Sequence, residues 1–283
     1  MKALVTGGSG FFGSILINNL LKKGYVVGSL DINTPTEIDE NVTFHKSDIR
    51  DINSIKEIIN EYNIIFHNVA QVPLAKKNKL IEEVNINGTK NLCEAALSAN
   101  IDRIIYTSSS AIYGIPKENP INENSSPNPG EAYGAAKLQG EYICKEYSKR
   151  GLNFSIIRPR TILGHGRLGI FSILFSWIYE GVNIPVLNNG NNIYQFVHAD
   201  DLAEACILSS KIKTSFESYN IGANDYYSMR ETLQSLCDYA NTGSKIFSLP
   251  LKPIELIMNI TSVLGLSPLS KYHSLMYGRS LYF

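Results

Sequence analysis

Thr6-Gly7-Gly8-Ser9-Gly10-Phe11-Phe12-Gly13, close to the start of the chain, is the stretch that predicts how the rest folds. The apolar run Lys2-Ala3-Leu4-Val5 before it has the character of a buried strand, and helical spacing follows at Ile15, Leu16, Leu20 and Leu21. In a strand–turn–helix unit, Gly7 takes the tight turn, Gly10 lets backbone N–H groups approach a pyrophosphate, and Gly13 lets the helix pack on the strand. The helix start at Phe11-Phe12 adds partial positive charge for an anion, so the stretch predicts a dinucleotide site.

An acidic residue supports this interpretation of the glycines. The spacing G-x-x-G-x-x-G is one residue longer at the front than the standard fingerprint, and such glycines also occur in turns that bind no ligand. Asp31, however, closes the second predicted strand (Tyr25–Leu30), roughly 20 residues past the glycines. A carboxylate there accepts hydrogen bonds from a ribose 2′-hydroxyl and repels a 2′-phosphate. The sequence therefore favours NAD over NADP.

Composition limits the classes of partner. The 283 residues include 26 Lys+Arg and 26 Asp+Glu, so the formal net charge is zero and gives no electrostatic reason to expect nucleic acid or an anionic membrane. The apolar stretch Ile254–Leu266 is too short to span a bilayer. Because the sequence starts directly with a strand, we expect no signal peptide. We expect no metal and a cytoplasmic protein with reduced thiols, since the cysteines lack metal spacing: Cys93, Cys144, Cys206 and Cys237.

Strands and helices alternate through the first two-thirds of the chain. This pattern predicts an α/β protein with a Rossmann-type doubly wound parallel sheet and a smaller, discontinuous C-terminal substrate lobe. We expect residues 1–160 to form the dinucleotide-binding domain, with residues 194–222 returning to it. The lobe would then comprise residues 161–193 and 223–283. The remaining strands are predicted at 42–44, 64–67, 103–107 and 154–157, and the main helices at 52–62, 87–99 and 132–148.

A candidate acid/base pair lies on the last of these helices. Tyr133 and Lys137 are four residues apart, so their side chains share one face of the helix. A lysine ammonium close to a phenol lowers the pKa of the phenol, which makes Tyr133 a candidate acid/base. Ser109 and its neighbours Thr107 and Ser110 end a predicted parallel strand at its carboxyl edge, where ligands of doubly wound sheets bind. The Y-x-x-x-K spacing alone also fits an ordinary surface pair, and its occurrence behind the glycine stretch favours the chemical interpretation.

An ordered set of motifs resembles one family, the extended short-chain dehydrogenases/reductases, which include the nucleotide-sugar epimerases and dehydratases. Besides the glycine stretch, Asp31 and the pair Tyr133 and Lys137, the matching motifs are Asp48-Ile49-Arg50, His67-Asn68-Val69-Ala70, Asn85-Ile86-Asn87-Gly88-Thr89, Thr107 to Gly114, Arg158-Pro159, Phe196-Val197-His198-Ala199-Asp200-Asp201 and Tyr219-Asn220-Ile221-Gly222. They extend from residue 3 to residue 222. The resemblance implies the fold and NAD as the cofactor.

The same resemblance implies roles for individual residues. Tyr133 is implied as the acid/base, Lys137 as its partner and a ribose ligand, and Ser109 as the third catalytic member. Further cofactor contacts are implied at Asp48, Ile49, Val69, Ala70, Asn85, Thr107 and Pro159, and Tyr133 is also implied to contact the cofactor. The Asp200 carboxyl is expected to cap the helix that begins there, and His67 to be a hydrogen-bonded core histidine. Helices 87–99 and 132–148 correspond to those that form a four-helix dimer interface in relatives, so we expect a homodimer.

The resemblance narrows the reaction but not the substrate. Dehydratases of the family carry an Asp-Glu pair where this chain has Ser110 and Ala111, so a 4,6-dehydratase is rejected, and the Ser-Ser-Ser-Ala-Ile-Tyr-Gly form instead resembles the C4-epimerases. Tyr194 stands where many epimerases place an arginine that binds the diphosphate. Three arginines are candidate phosphate ligands instead, with Ser109 and Ser110 as further substrate contacts: Arg160, Arg167 and Arg279. Each of the three also fits a surface or interlobe salt bridge.

We therefore expect an NAD-dependent nucleotide-sugar epimerase that oxidises C4 to a 4-keto intermediate and reduces it again on the other face. The first alternative is a dehydrogenase or reductase of the 3β-hydroxysteroid-dehydrogenase-like type, which the form Arg158-Pro159-Arg160-Thr161-Ile162 also resembles. The second is a sensor or scaffold that binds NAD without catalysis. In relatives a further aspartate and a short helix follow Phe283, so the sequence is expected to be a truncation or the ordered part of a longer product.

Overall fold

A seven-stranded, wholly parallel sheet forms the centre of the computed structural model, which describes residues 1–37, 39–72, 78–166, 170–254 and 278–283. The order of its strands is β3-β2-β1-β4-β5-β6-β10. Their bounds are Lys2–Thr6 (β1), Val26–Asp31 (β2), Val42–Lys46 (β3), Ile64–His67 (β4), Arg103–Thr107 (β5), Phe154–Pro159 (β6) and Phe216–Ile221 (β10). The direction of winding reverses between β1 and β4, and ligands of such sheets bind beside the carboxyl ends of the strands at that point. The predicted doubly wound sheet is confirmed.

Helices cover both faces of this sheet. Among the described residues, α-helices span Phe11–Lys22 (α1), Ile52–Ile59 (α2), Asn78–Glu82 (α3), Thr89–Leu97 (α4), Ala132–Ser148 (α5), Ile170–Tyr179 (α6), Ala199–Ser209 (α7) and Met229–Ala240 (α8), and residues 251–254 are also helical. On one face α1 and α7 bury Leu16 and Leu202 against the apolar side chains of β1 and β4. On the other face α2, α4 and α5 bury Ile55, Leu92 and Cys144. This two-sided burial is why the strands read as continuous apolar runs.

The structure corrects several predicted boundaries. The helix predicted at 52–62 ends at Ile59, and the strand predicted at 42–44 continues to Lys46. The helix predicted at 87–99 is α3, a π-helical turn at Glu83–Gly88 and then α4. The strand predicted at 154–157 continues to Pro159, because β10 pairs with it as far as Ile221. The prediction that Asp200 caps α7 is wrong: His198 is the cap, and its Nδ1 accepts a hydrogen bond from the backbone N–H of Asp200 at 3.3 Å.

A second apolar cluster lies apart from the sheet. Phe171 and Ile178 of α6 pack with Leu233 and Cys237 of α8 and with Val186. Two short parallel sheets accompany it, in which Ile184–Leu187 (β8) pairs with Ile246–Leu249 (β11) and Thr161–Leu163 (β7) pairs with Phe196–His198 (β9). Stretches on both sides of residues 194–222 thus contribute to one cluster. The division into domains at residues 160 and 193 stays a prediction.

Residues 278–283 lie across both regions. Leu281 is buried and bridges to Tyr194, while the backbone N–H of Phe283 donates to the Gln195 side chain at 2.9 Å. The Phe283 ring meets Tyr113 edge to face, with ring centroids 6.3 Å apart. These contacts attach the segment to the loop that follows β5 and to the residues that directly precede β9.

Candidate active site

The glycine turn between β1 and α1 shows why side chains are excluded there. Gly7 has φ +74°, and a Cβ on Gly13 would lie 2.0 Å from the Gly7 carbonyl oxygen. Gly10 is the N-cap of α1, and the first-turn N–H groups at Phe11, Phe12 and Gly13 follow it. The first N–H groups of a helix have no acceptor within the helix, and in such a turn they can donate to an anion. The turn is therefore a cradle that fits a pyrophosphate.

Asp31 lies beside this cradle at the end of β2. Its Oδ2 accepts a hydrogen bond from the backbone N–H of Ser9 at 3.1 Å, and its Oδ1 accepts one from Asn33 at 2.9 Å. Each carboxylate oxygen has a second lone pair, so the group retains capacity to accept from a ribose hydroxyl. Asp31 therefore lies at the end of β2, which is the position that the sequence predicts.

Asp31→Asn is a sharp test of the ribose contact. The amide keeps an oxygen acceptor for the Ser9 N–H, but it removes the negative charge that repels a 2′-phosphate. We expect the ratio of NADP to NAD affinity to rise about tenfold or more, which corresponds to about 1.4 kcal/mol. The ratio is measured by titrating both cofactors into the wild type, Asp31→Asn and the nearby exposed control Asn33→Ala. An unchanged ratio in Asp31→Asn would remove the ribose assignment.

Asn85 fixes the loop that follows β4. From the π-helical turn its Oδ1 accepts from the backbone N–H of Gln71 at 2.7 Å, and its Nδ2 donates to the Gln71 carbonyl at 3.0 Å. This pair of bonds holds the partly buried residues Val69 and Ala70 at the sheet edge. The sequence predicted that Asn85 lines a cofactor, and the structure shows that it also shapes the loop. A π-helical turn often marks such a functional position.

Asp48 and Ile49 are the predicted adenine contacts. They follow β3 at the carboxyl edge of the sheet, the edge at which the glycine turn lies. Arg50 donates to the Asp48 carboxylate at 2.6 Å and lowers its pKa, because the hydrogen bond favours the charged form. Ile49 is buried beneath Gly88, whose missing Cβ would meet Ile49 Cγ2 at 2.6 Å. Pro159 is buried at the carboxyl end of β6, the same edge as the glycine turn.

His67 is buried beneath this edge, and its uncharged ring links two threonine hydroxyls by hydrogen bonds. Its Nδ1 lies 2.8 Å from Thr6 Oγ1, and its Nε2 lies 3.0 Å from Thr89 Oγ1. Because the Thr89 hydroxyl donates to the Asn85 carbonyl, Nε2 must donate to Thr89 and Nδ1 must accept from Thr6. Burial lowers the pKa of His67 to about 3, with the charge of Lys137 acting in the same direction. The predicted core histidine is confirmed.

The shifted pKa of His67 predicts acid sensitivity. The unfolded chain binds a proton at this residue below about pH 6.5 but the folded chain does not do so until about pH 3, so stability falls as pH falls through this window. At pH 5 the loss is about 2 kcal/mol. We expect His67→Gln to lose less unfolding free energy than the wild type between pH 7 and pH 5, measured by denaturant titration. The exposed His165→Gln is the control, and equal pH slopes for wild type and His67→Gln would contradict the assignment.

Lys137 is the best-defined polar group of the site. Its side chain is 1% exposed, and its Nζ donates to the Thr107 carbonyl at the end of β5 at 2.7 Å. Burial lowers the pKa of Lys137 to about 8, whereas Cys144 and Glu141 raise it. Tyr133 is partly buried one helical turn away, within a helix whose bounds match the predicted ones. The Thr107 hydroxyl donates to Asn68 Oδ1 at 2.5 Å, which ties the ends of β5 and β4 together.

Ser109 continues from β5 into the same edge. It caps the short 3₁₀ turn Ser110–Tyr113, where its Oγ accepts from the Ala111 N–H at 3.1 Å. Glu131 caps α5 from the other side, because its carboxylate accepts from the backbone N–H groups of Tyr133 at 2.7 Å and Gly134 at 2.6 Å. The turn and the helix start approach closely at Gly134, where a Cβ would lie 2.5 Å from the Ala111 carbonyl. Ser109, Tyr133 and Lys137 are thus brought to one edge.

The predicted phosphate ligands have different surroundings. Arg160 is 2% exposed and donates from one guanidinium nitrogen to Ser110 Oγ at 2.9 Å. Its guanidinium also lies over the Tyr194 ring, 5.1 Å from the centroid. Arg279 is partly buried in the segment 278–283, and Arg167 lies outside the described residues. Ser110 is therefore bound by Arg160 directly beside Ser109.

Sequence reasoning missed a buried ion pair close to Lys137. Glu141 and Arg158 form a double hydrogen bond, with distances of 2.8 Å and 3.0 Å, and Ser108 donates to the same carboxylate at 2.5 Å. Two signals were available in the sequence: Glu141 follows Lys137 by four residues on one helix face, and Arg158 precedes Pro159. Neither signal shows burial, which depends on how the helix meets the sheet.

The described residues present neither a metal-binding cluster nor a membrane-crossing helix. They contain no group of three or more His, Cys, Asp or Glu side chains arranged to hold a metal ion. None of the helices assigned within those ranges is long and apolar enough to cross a bilayer.

Comparison with known proteins adds the family. The model of the NAD dependent epimerase/dehydratase family matches residues 3–222. A protein of Sinorhizobium fredii, the uncharacterized protein y4nG, is 51% identical over 99% of this chain and 71% of its own length. The UDP-glucose 4-epimerase of Mycolicibacterium smegmatis is 30% identical over 82% of this chain and 80% of its own. The crystal structure of the Thermus thermophilus UDP-glucose 4-epimerase in complex with NAD is similar with a TM-score of 0.76 and 25% identity, over 98% of this chain and 97% of that one.

Proposed function

The chain belongs to the NAD dependent epimerase/dehydratase family, and we propose that it is an epimerase that inverts C4 of a nucleotide sugar. One observation carries the proposal. The buried Lys137 ammonium lies 2.7 Å from the Thr107 carbonyl, one helical turn from Tyr133, at the sheet edge where Ser109 stands. A phenol, an ammonium and a hydroxyl at one edge form a set that can move a proton to and from a substrate hydroxyl.

Each of the three residues has a separate part in the proposed reaction. Tyr133 accepts the proton of the substrate C4 hydroxyl and later returns it. Lys137 stabilises the phenolate of Tyr133, because a nearby ammonium favours the charged form of a phenol. Ser109 donates a hydrogen bond to the substrate oxygen and holds it beside the phenol.

NAD is the cofactor of the family, and when bound it supplies a hydride carrier beside these groups. The glycine turn fits its pyrophosphate, since the close approach of Gly13 to the Gly7 carbonyl places the start of α1 directly after β1, and Asp31 fits its ribose. The other residues proposed to contact it are Asp48, Ile49, Val69, Ala70, Asn85, Thr107, Lys137 and Pro159.

The surroundings of Ser109 favour an epimerase over a 4,6-dehydratase. A 4,6-dehydratase uses a carboxylic acid and a carboxylate beside the sugar to remove water. At the two corresponding positions this chain has Ser110 and Ala111. Ser110 accepts from Arg160, and the carboxylate of Glu131 accepts from two backbone N–H groups of α5. We therefore keep Ser110 and Arg160 as proposed substrate contacts, with Arg279 and Arg167 as further phosphate ligands.

A second candidate is supported by the aromatic cluster next to Arg160. The Tyr194 ring packs at a tilt against Phe171 and Phe196, with ring centroids 5.4 Å and 5.1 Å apart. Apolar rings suit an apolar alcohol or ketone better than a diphosphate. This supports a dehydrogenase or reductase of the 3β-hydroxysteroid-dehydrogenase-like type as the alternative.

The proposed assembly is a homodimer through α4 and α5. These helices pack side by side on one face of the sheet, and Tyr142 of α5 is 49% exposed. Sedimentation velocity tests this proposal, and a monomer at all concentrations would contradict it.

A substrate panel with substoichiometric NAD tests the proposed function. The sugar is followed by NMR and NADH by absorbance, with UDP- and dTDP-sugars and a 3β-hydroxysteroid as substrates. Inversion at C4 without net NADH is the expected result. Conversion of all the added NAD to NADH by the steroid, with inert sugars, would support the second candidate instead. A 4-keto-6-deoxy sugar, or no turnover of any substrate, would contradict the proposal.

A further inference from the structure

A buried polar network joins the catalytic helix to two strands of the sheet. Its centre is the pair of Glu141 on α5 and Arg158 on β6, whose side chains are 6% and 10% exposed. Ser108, at the end of β5, donates to Glu141 Oε1 at 2.5 Å. A carboxylate with a bidentate arginine and a serine hydroxyl is a strong, charge-assisted arrangement. Three elements that supply the site are therefore fixed to one carboxylate.

The arginine side of this network contacts a second set of polar groups. Arg158 donates to the Tyr113 hydroxyl at 2.8 Å and to the Glu123 carbonyl at 3.2 Å. The Tyr113 hydroxyl in turn donates to Asn220 Oδ1 on β10 at 2.9 Å. The positive charge is thus shared with groups on the far side of β6, whereas the Glu141 carboxylate lies on the helix face of Lys137.

The groups around Lys137 leave Glu141 as its ionised neighbour. Burial raises the pKa of Cys144 and of Tyr106 well above their usual values, so both are uncharged near neutral pH. Burial also keeps His67 neutral, with a pKa of about 3. Of these described groups that face Lys137 from α5, β5 and β4, Glu141 alone supplies a negative charge before Tyr133 ionises.

We propose that Glu141 is a positioning residue for the reaction: its buried carboxylate anchors α5 to β5 and β6 and keeps Lys137 in the ammonium form. An ammonium buried to 1% exposure loses most of its hydration, which disfavours its charge. A carboxylate one helical turn away offsets that cost. Because Lys137 is the proposed partner of Tyr133, the inference rests on the proposed function.

A direct titration of Lys137 tests this inference without substrate or turnover. The protein is labelled with ¹³C-lysine, and the Lys137 signal is identified by its loss in Lys137→Met. In the wild type we expect a midpoint of about pH 8. In Glu141→Gln, which keeps the shape but not the charge, the midpoint should fall by about one pH unit. Glu146→Gln is the matched control, since Glu146 is exposed on the same helix and should leave the midpoint unchanged.

A second variant covers the case in which Glu141→Gln does not fold. Glu141→Gln combined with Arg158→Met leaves no unpaired buried charge, so folding is retained more readily. It should show a smaller fall in the same direction, because the Arg158 cation, which also disfavours the ammonium, is removed together with the carboxylate. A Lys137 midpoint equal to that of the wild type in the folded variant would overturn the inference. That result leaves C4 inversion by the wild type untouched, whereas absence of inversion would contradict the proposed function and not the titration.

Discussion

Replacing Tyr133 with phenylalanine should lower turnover by at least about 10²-fold, because general acid/base catalysis contributes a factor of about 10² to 10⁴. The ring and its packing remain, and only the phenolic oxygen that exchanges the proton is lost. NAD affinity should change little, since the substitution leaves the glycine cradle and Asp31 intact. Initial rates and a cofactor titration measure the two quantities.

Tyr142→Phe is the matched control for this substitution. Tyr142 lies on the same helix but is 49% exposed, so the loss of its hydroxyl should leave turnover unchanged. Full activity in Tyr133→Phe would remove the acid/base assignment. A parallel loss of NAD affinity and turnover would instead assign Tyr133 to cofactor binding.

Lys137→Met should separate activity from stability. Turnover should fall about 10²-fold, because the phenolate of Tyr133 loses its ammonium partner. The unfolding free energy at pH 7 should not fall, since the substitution removes a charge whose burial lowers its pKa to about 8. Rate measurements and denaturant titration give the two values, and Lys145→Met on the exposed side of α5 is the control.

The pH dependence of the wild type follows from the same group. The pKa of Lys137 is lowered to about 8, so the ammonium is lost as pH rises through that value and turnover should decline above it. In Lys137→Met this alkaline decline should be absent. A decline that persists in the variant, or a full rate in it, would contradict the assigned role of Lys137.

The local parts of the site could be predicted from sequence. The glycine turn needs residues without Cβ atoms within one short stretch, and Tyr133 and Lys137 share a face through helical spacing alone. The helix at residues 132–148 has the predicted bounds for the same reason. Each of these signals is contained in a few consecutive residues.

The parts that were missed depend on contacts between distant residues. The π-helical turn at Glu83–Gly88 forms where Asn85 binds the loop at Gln71, and no spacing in the sequence encodes that pairing. His198 rather than Asp200 caps α7, because β9 ends at His198 and the helix begins at the next residue, Ala199. The ion pair of Glu141 and Arg158 joins a helix to a strand and becomes buried only when the sheet is assembled.

The most direct test of the central claim uses a nucleotide sugar deuterated at C4, offered separately as each of its two C4 epimers. If the protein is a C4 epimerase, both samples reach the same ratio of epimers, the deuterium stays at C4, and NADH does not accumulate. NMR follows the ratio and the label together, with Tyr133→Phe as the inactive control. No inversion from either epimer, or loss of the deuterium to water, would contradict the claim.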